Sequence, residues 1–235
     1  MNILALDTAG KSAGVAILAD DRLLFDCYLE VGMTHSETIM PLVDTAFRMT
    51  GLKPKDIDLY AVTAGPGSFT GLRIGLAAAK GMALPKNTPC AGVSTLEALA
   101  AQHTGQGTVV AALDARRSQV YWAAFDLESH ARLTPDDAQP VAQLADFVEN
   151  CKKPLFFVGN GAALCYNKYG QLPGVIPAAP TTGCAHAAAV GIVGARMHAN
   201  GESVPPSGLL PEYHRLSQAE RERAAKLAAQ ENPTK

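Results

Sequence analysis

The 235-residue chain is long enough for one large domain or two small ones, and 48% hydrophobic with 18% charged residues is an ordinary globular balance. A formal charge of −2 excludes a basic field that would gather nucleic acid or anionic lipid by itself. Five cysteines (Cys27, Cys90, Cys151, Cys165, Cys184), odd in number and never spaced C-x-x-C, exclude a disulfide framework and a zinc site and suit a reducing compartment.

In chain order, Ile3-Leu4-Ala5-Leu6 is a continuous apolar run, the mark of a strand buried on both faces. It is expected to start directly after Met1 with no signal peptide ahead of it, and no apolar run approaches the ~18 residues of a membrane span. A cytoplasmic location without membrane association is therefore expected. Asp7-Thr8-Ala9-Gly10-Lys11-Ser12 has turn chemistry, Ala13 to Leu18 resumes the strand, and Arg22 to Glu30 reads as a third strand.

The next segment opens a helix, expected from Ser36 to Thr50. Thr34 and Glu37 have capping-box spacing, whereas Pro41 favours a start nearer Ser36, so the sequence leaves the cap open. Ile39, Leu42, Val43 and Ala46 form one apolar stripe, and Met40, Phe47 and Met49 lie off it. Such a helix is either deeply buried or presents a second apolar face to a partner. Gly51 stops it.

A strand at Leu59–Thr63 leads into Ala64-Gly65-Pro66-Gly67-Ser68-Phe69-Thr70-Gly71-Leu72-Arg73-Ile74-Gly75, which is no Walker A loop because no Gly-Lys-Ser/Thr ends it. Ser68 or Thr70 can cap the helix that follows, expected from Gly71 to Met82. Within it Gly71, Gly75 and Ala79 recur every four residues. A helix-interior glycine costs about 1 kcal/mol relative to alanine, so a close neighbour is expected on that face: the first helix, a partner, or both. Ser94-x-x-Glu97 caps a third helix.

Then the opening pattern returns. Thr108 to Leu113 is a buried-type strand, Asp114 follows as Asp7 did, Ala115-Arg116-Arg117-Ser118-Gln119 turns, and Val120 to Phe125 runs back. Duplication is the favoured reading of that repeat over two unrelated hairpins. The boundary falls near Gly105-Gln106-Gly107, giving an N-terminal lobe over 1–105, a C-terminal lobe over 106–215, and a charged tail over 216–235, either helical or frayed. The second lobe continues with a helix near Val141–Asn150, a strand Leu155–Val158, Gly159-Asn160-Gly161 into a helix to about Tyr169, and an Ala-rich helix from about Cys184 to His198.

These paired strand–Asp–turn–strand units resemble the actin-like ATPase (ASKHA) architecture, an α/β fold of two duplicated ribonuclease H-like lobes. In that architecture the two turns cradle phosphates and late glycines face adenosine. Asp7, Asp114, Gly159 and Gly161 are therefore read as vestigial nucleotide-binding positions. The first turn lacks the glycine usual two places after the aspartate, and Arg116-Arg117 reads as a solvated turn ahead of an anion site.

The whole run from Ala64 to Gly75, with Leu4-Ala5-Leu6-Asp7-Thr8 and His35-Ser36-Glu37, resembles the TsaB (YeaZ) family over about the first 215 residues. The resemblance implies a non-catalytic subunit required for threonylcarbamoyl transfer to N6 of adenosine 37 in tRNA. It implies a heterodimer with a TsaD-like paralogue through the two N-lobe helices, a TsaE-like ATPase as further partner, a homodimer when alone, and tRNA met only through the complex. The partner interface implied is His35, Ser36, Ile39, Met40, Val43, Phe47, Gly71, Arg73, Gly75 and Ala79. The catalytic relatives hold metal with two histidines four apart, and none of the six histidines here has such a mate. No catalytic residue, metal or cofactor is expected. The competing reading is a free-standing ATPase or kinase, which should show a glycine-bearing phosphate turn; a peptidase lacks the metal pair.

Overall fold

The computed structural model describes residues 1–179 and 182–214. Strands β1 (Asn2–Asp7), β2 (Ala13–Ala19) and β3 (Arg22–Leu29) form an antiparallel meander. Strands β4 (Leu59–Gly65) and β5 (Cys90–Ser94) join on the other side of β1 in parallel, giving the order β3-β2-β1-β4-β5. The second half repeats this with β6 (Thr108–Asp114), β7 (Gln119–Asp126), β8 (Asp137–Pro140), β9 (Leu155–Val158) and β10 (Val175–Ile176), in the order β10-β9-β6-β7-β8. Asp7 pairs with Gly14 at the end of one hairpin and Asp114 with Val120 at the end of the other. The repeat in the sequence is a repeat of topology.

Five layers result. Helices α1 (His35–Thr50) and α2 (Phe69–Ala83) cover the outer face of the first sheet through Leu4, Leu6, Tyr60 and Val62. Alternate residues Ile3, Ala5, Leu59 and Ala61 point the other way, as the two-residue period of a strand requires, into a central layer shared with the second sheet. Helices α3 (Thr95–Ala100) and α6 (Ala187–Ala199) fill that layer, while α4 (Ala145–Asn150) and α5 (Ala162–Tyr169) lie outside the second sheet.

The lobe boundary differs from the sequence reading. Although α6 belongs by position to the second half, it packs on β1, β2 and β4 of the first sheet. A carbon on Gly191 would lie 2.4 Å from Leu18 Cδ1, and one on Gly194 would lie 2.5 Å from the Ala61 methyl, so these glycines set how closely the helix rests on the sheet. Residues beyond α6 continue on the same sheet, where Val204 and Cys90 exchange backbone hydrogen bonds of 2.8 Å. A contiguous second lobe over 106–215 is thus not what the chain builds, because apolar sheet area left open in the first half is covered from the second.

Thr34 is the cap of α1: its N–H donates to Glu37 Oε2 at 2.9 Å, and Pro41 falls inside the helix on its exposed side. Ser68 caps α2 by accepting Gly71 N–H at 3.2 Å. Ser94 caps α3 likewise, but the Glu97 side chain turns away from the cap to Arg132 at 2.6 Å and to Arg196. A 3₁₀ turn over Val141–Leu144 precedes a short α4 where one longer helix was expected. The tail assigned to 216–235 lies outside the described residues.

Candidate functional site

Two features occupy the positions singled out in the sequence: the cleft between the lobes, and the outer face of α1 and α2. The cleft of about 550 Å³ is bounded by Lys11, Ser68, Asp114, Arg116, Asn160 and Tyr213, among others.

On the first-lobe side the turn after β1 lines the cleft and leans on the chain's own glycine run. Ala9 C=O accepts the Ser68 N–H at 2.7 Å, and a carbon on Gly67 would lie 2.6 Å from that same oxygen. A backbone N–H at the head of α2, of the kind that holds anions elsewhere, is therefore spent on the turn. Further along α2, a carbon on Gly71 would lie 2.1 Å from Thr8 C=O, and one on Gly75 would lie 2.3 Å from Thr8 Oγ1. Thr8 Oγ1–H in turn donates to Gly71 C=O at 2.8 Å. The glycine seam exists so that α2 can sit on the end of β1.

Asp7 is 2% exposed and does not reach the cleft wall. Its Oδ1 accepts Thr63 Oγ1–H at 2.9 Å and Ala9 N–H at 3.1 Å. Burial pushes its carboxyl up to about 6, the two hydrogen bonds and then His35 and His186 pulling the other way.

The second turn is built differently. Asp114 is exposed on the cleft; its Oδ1 accepts Arg116 N–H at 2.7 Å, and its own N–H donates to Asn160 Oδ1 at 2.8 Å. Arg116, Arg117 and Ser118 all adopt left-handed backbone, with φ of 63°, 55° and 57°. Gly159 and Gly161 fit against β6, where added carbons would lie 2.3 Å from Ala112 C=O and 2.8 Å from Leu113 C, so the fold of the second lobe itself requires them small.

The outer face of α1 and α2 corrects the assignment of the small-residue groove. Gly71 and Gly75 are buried against Thr8, Ala79 is buried in the same core, and Ile39 and Val43 are in the core beneath α1, so none of the five offers a side to a partner. Helical periodicity groups these residues on one face; the neighbour of that face is Thr8, in the chain's own first turn. His35 is half-buried, with Nε2 3.0 Å from Gly10 C=O, and ties α1 to the first turn. Ser36 and Arg73 are exposed, Met40 is 46% exposed, and Phe47 is half-buried against the core. The stripe of α2 that does face outward is Thr70, Arg73, Ala77 and Gly81, on the opposite side of the helix from the glycine seam. Its spacing was present in the sequence and went unread.

Sequence reading also missed the segment 209–214, which crosses the glycine-rich turn. Glu212 N–H donates to Ala64 C=O at 2.8 Å, and a carbon on Gly65 would lie 2.2 Å from Glu212 C=O. Four cysteines are raised in pKa chiefly by burial, Cys90 to about 11 and Cys165 to about 12, with Cys27 and Cys184 moved in the same direction, so none of the four is poised as a thiolate. Among the described residues no group of three His, Cys, Asp or Glu converges as metal ligands, and no helix is long and apolar enough to cross a membrane.

These features define a two-lobed α/β protein of the actin-like ATPase fold whose first turn is hydrogen-bonded to its own glycine run. The fold is shared with the activator of 2-hydroxyisocaproyl-CoA dehydratase from Clostridium difficile (TM-score 0.50, 11% identity, 86% of this chain and 98% of that one), a structure with bound ADPNP. The family described as "TsaD: tRNA N6-adenosine threonylcarbamoyltransferase" matches residues 30–168, more than half of the chain. The Bacillus subtilis tRNA threonylcarbamoyladenosine biosynthesis protein TsaB is 29% identical over 94% of this chain and 96% of its own length. A Pseudomonas aeruginosa crystal structure, described as an uncharacterized protein with similarity to peptidase YEAZ, superposes with a TM-score of 0.78 at 27% identity over 91% of this chain and 99% of that one. The chain belongs to this TsaD-related family and, within it, to the TsaB (YeaZ) proteins of tRNA threonylcarbamoyladenosine biosynthesis.

Proposed function

We propose that the chain is a non-catalytic partner subunit, required for threonylcarbamoyl transfer to N6 of adenosine 37 in tRNA. It supports a TsaD-like paralogue together with a TsaE-like ATPase, in the cytoplasm. The observation that carries this reading is the commitment of the first turn: Ala9 C=O holds the Ser68 N–H at the head of α2, and Gly67 rests against Ala9, so that this N–H is not available to a nucleotide phosphate. The same observation counts against a free-standing ATPase or kinase. Docking uses the exposed parts of α1 and α2, Ser36, Met40 and Arg73 with Phe47 at the margin; Met33, Met40 and Met49 are large apolar side chains left in solvent on and beside α1. The same face serves a homodimer when no paralogue is present.

The test is reconstitution. Purified TsaD-like and TsaE-like partners, tRNA, ATP and threonylcarbamoyl-adenylate are expected to give modified tRNA only when this chain is added, and the chain alone to give none. The isolated chain is also expected not to hydrolyse ATP; steady hydrolysis that disappears in Asp7→Ala or Asp114→Ala would sink the non-catalytic reading. Binding of tRNA by the chain alone should be weak and shallow in salt dependence, since a net charge of −2 leaves few phosphates to neutralise. A partner-free tRNA complex that survives high salt would contradict the view that tRNA is met only through the complex.

A further inference from the structure

Arg73 stands on the outward side of α2, one turn beyond Phe69, and is met by a residue 140 positions later in the chain. Its Nε–H donates to the Tyr213 hydroxyl at 2.8 Å, its guanidinium lies 3.8 Å from the centre of the Phe69 ring, and the Phe69 and Tyr213 rings stack with centroids 4.8 Å apart. Tyr213 is itself fixed from behind by the Glu212–Ala64 hydrogen bond and by Leu209, which is buried in the first-lobe core.

A long side chain that ordinarily loses rotamer freedom on binding is thus ordered beforehand, which removes part of the cost of association. The hydrogen bond uses Nε only, and among the described residues no carboxylate pairs with the two terminal nitrogens. An exposed guanidinium, held over an aromatic ring with its terminal nitrogens unpaired among the described residues, matches the two oxygens of a carboxylate.

We propose that Phe69 and Tyr213 hold Arg73 as a preset receptor for a carboxylate side chain of the partner protein, so that segment 209–214 is part of the docking surface. The inference rests on the docking reading above and adds the chemistry of the contact. Arg73 meets the partner's carboxylate directly; Tyr213 acts through Arg73 and is a positioning residue. An RNA phosphate is the poorer match, because RNA affinity grows with several neutralised phosphates and the exposed stripe Thr70, Arg73, Ala77 and Gly81 carries a single cation.

The experiment titrates wild type, Arg73→Gln, Arg73→Lys, Tyr213→Phe and the double variant Arg73→Gln/Tyr213→Phe against the purified TsaD-like partner at low and high salt, with melting curves for each. Arg73→Gln is expected to weaken association about 10- to 100-fold at low salt, the range of a charge-assisted hydrogen-bonded pair, and to flatten the salt dependence. Arg73→Lys keeps the charge without the planar pair of donors and should recover only part of the loss. Tyr213→Phe should weaken binding about fivefold in wild type and not at all in Arg73→Gln, a coupling that a merely structural tyrosine would not show. Equal affinity across folded variants overturns the inference and leaves the docking reading standing. Loss of tRNA affinity in Arg73→Gln with partner affinity intact overturns it in favour of a phosphate. Failure of wild type to bind the partner overturns the docking reading, and this inference with it.

Discussion

Replacing Gly71 by alanine is expected to destabilise the chain by about 3 kcal/mol, near the top of the range for overpacking a closed site. The added carbon would stand 2.1 Å from Thr8 C=O and 3.0 Å from the His35 ring, and the first of these is backbone of the residue that directly follows the central strand β1. A side chain could swing aside; β1, bonded on both edges, cannot move without disturbing the sheet. Alanine's better helix propensity returns about 1 kcal/mol, which reduces the effect without reversing it. Gly81→Ala in the same helix isolates that second term: nothing lies within 4 Å of its added carbon, so a gain of about 0.5–1 kcal/mol is expected. Urea midpoints of the two variants should therefore move in opposite directions. Equal midpoints would show that α2 does not rest on β1 as described. Gly75→Val should likewise lose folding before it loses any partner, since its first carbon would lie 2.3 Å from Thr8 Oγ1.

The second large effect depends on pH. Asp7 has a folded-state pKa of about 6 against 3.8 for the free side chain, so the folded chain binds this proton more tightly than the unfolded chain. Its contribution to stability is present in full below pH about 4, falls as pH rises between the two values, and is lost above about 6. Two pK units correspond to about 3 kcal/mol. Asp7→Asn keeps the shape and removes the charge; its amide oxygen can still accept from Thr63 Oγ1–H and Ala9 N–H. The variant should match wild type near pH 4 and exceed it by about 2–3 kcal/mol at pH 8. The readout is the difference between the two unfolding curves at each pH, which cancels all other titrating groups. A difference that stays flat from pH 4 to 8 would mean that the carboxylate is solvated rather than buried.

What the sequence made legible follows from what periodicity can carry. The apolar runs around Asp7 and Asp114 locate both hairpins, because strands buried on two faces leave an unbroken hydrophobic signature. Ser94-x-x-Glu97 marked α3 for a similar reason, since the N–H groups of a helix start need a side-chain acceptor nearby. Strand β8, reading Asp-Ala-Gln-Pro, and β10, only two residues, have neither alternation nor length, and their pairing is decided by β7 and β9. β5 was hidden by its small residues, Cys-Ala-Gly-Val-Ser, which suit a place under α6 better than they advertise a strand.

For the candidate site the division is the same. Spacing put Gly71, Gly75 and Ala79 on one face of α2, but a face does not name its neighbour. Thr8 lies 63 residues upstream of Gly71, and the link between them is tertiary. Tyr213 could not be joined to Arg73 by any local rule, because the segment that carries it has no periodic pattern and gains its position from Leu209 and Ala64.

The return of α6 to the first sheet has a consequence in time. During synthesis, β1, β2, β3 and β4 are all available once residue 65 has emerged. Helix α3 reaches only the β4–β5 side of their inner face, whereas α6, which covers β1, β2 and β4, begins only at Ala187. At about 5–20 residues per second, Ile3, Ala5, Leu59 and Ala61 wait roughly 6–25 s for their cover. The newborn first lobe is thus an apolar sheet with most of one face open until α6 has left the ribosome.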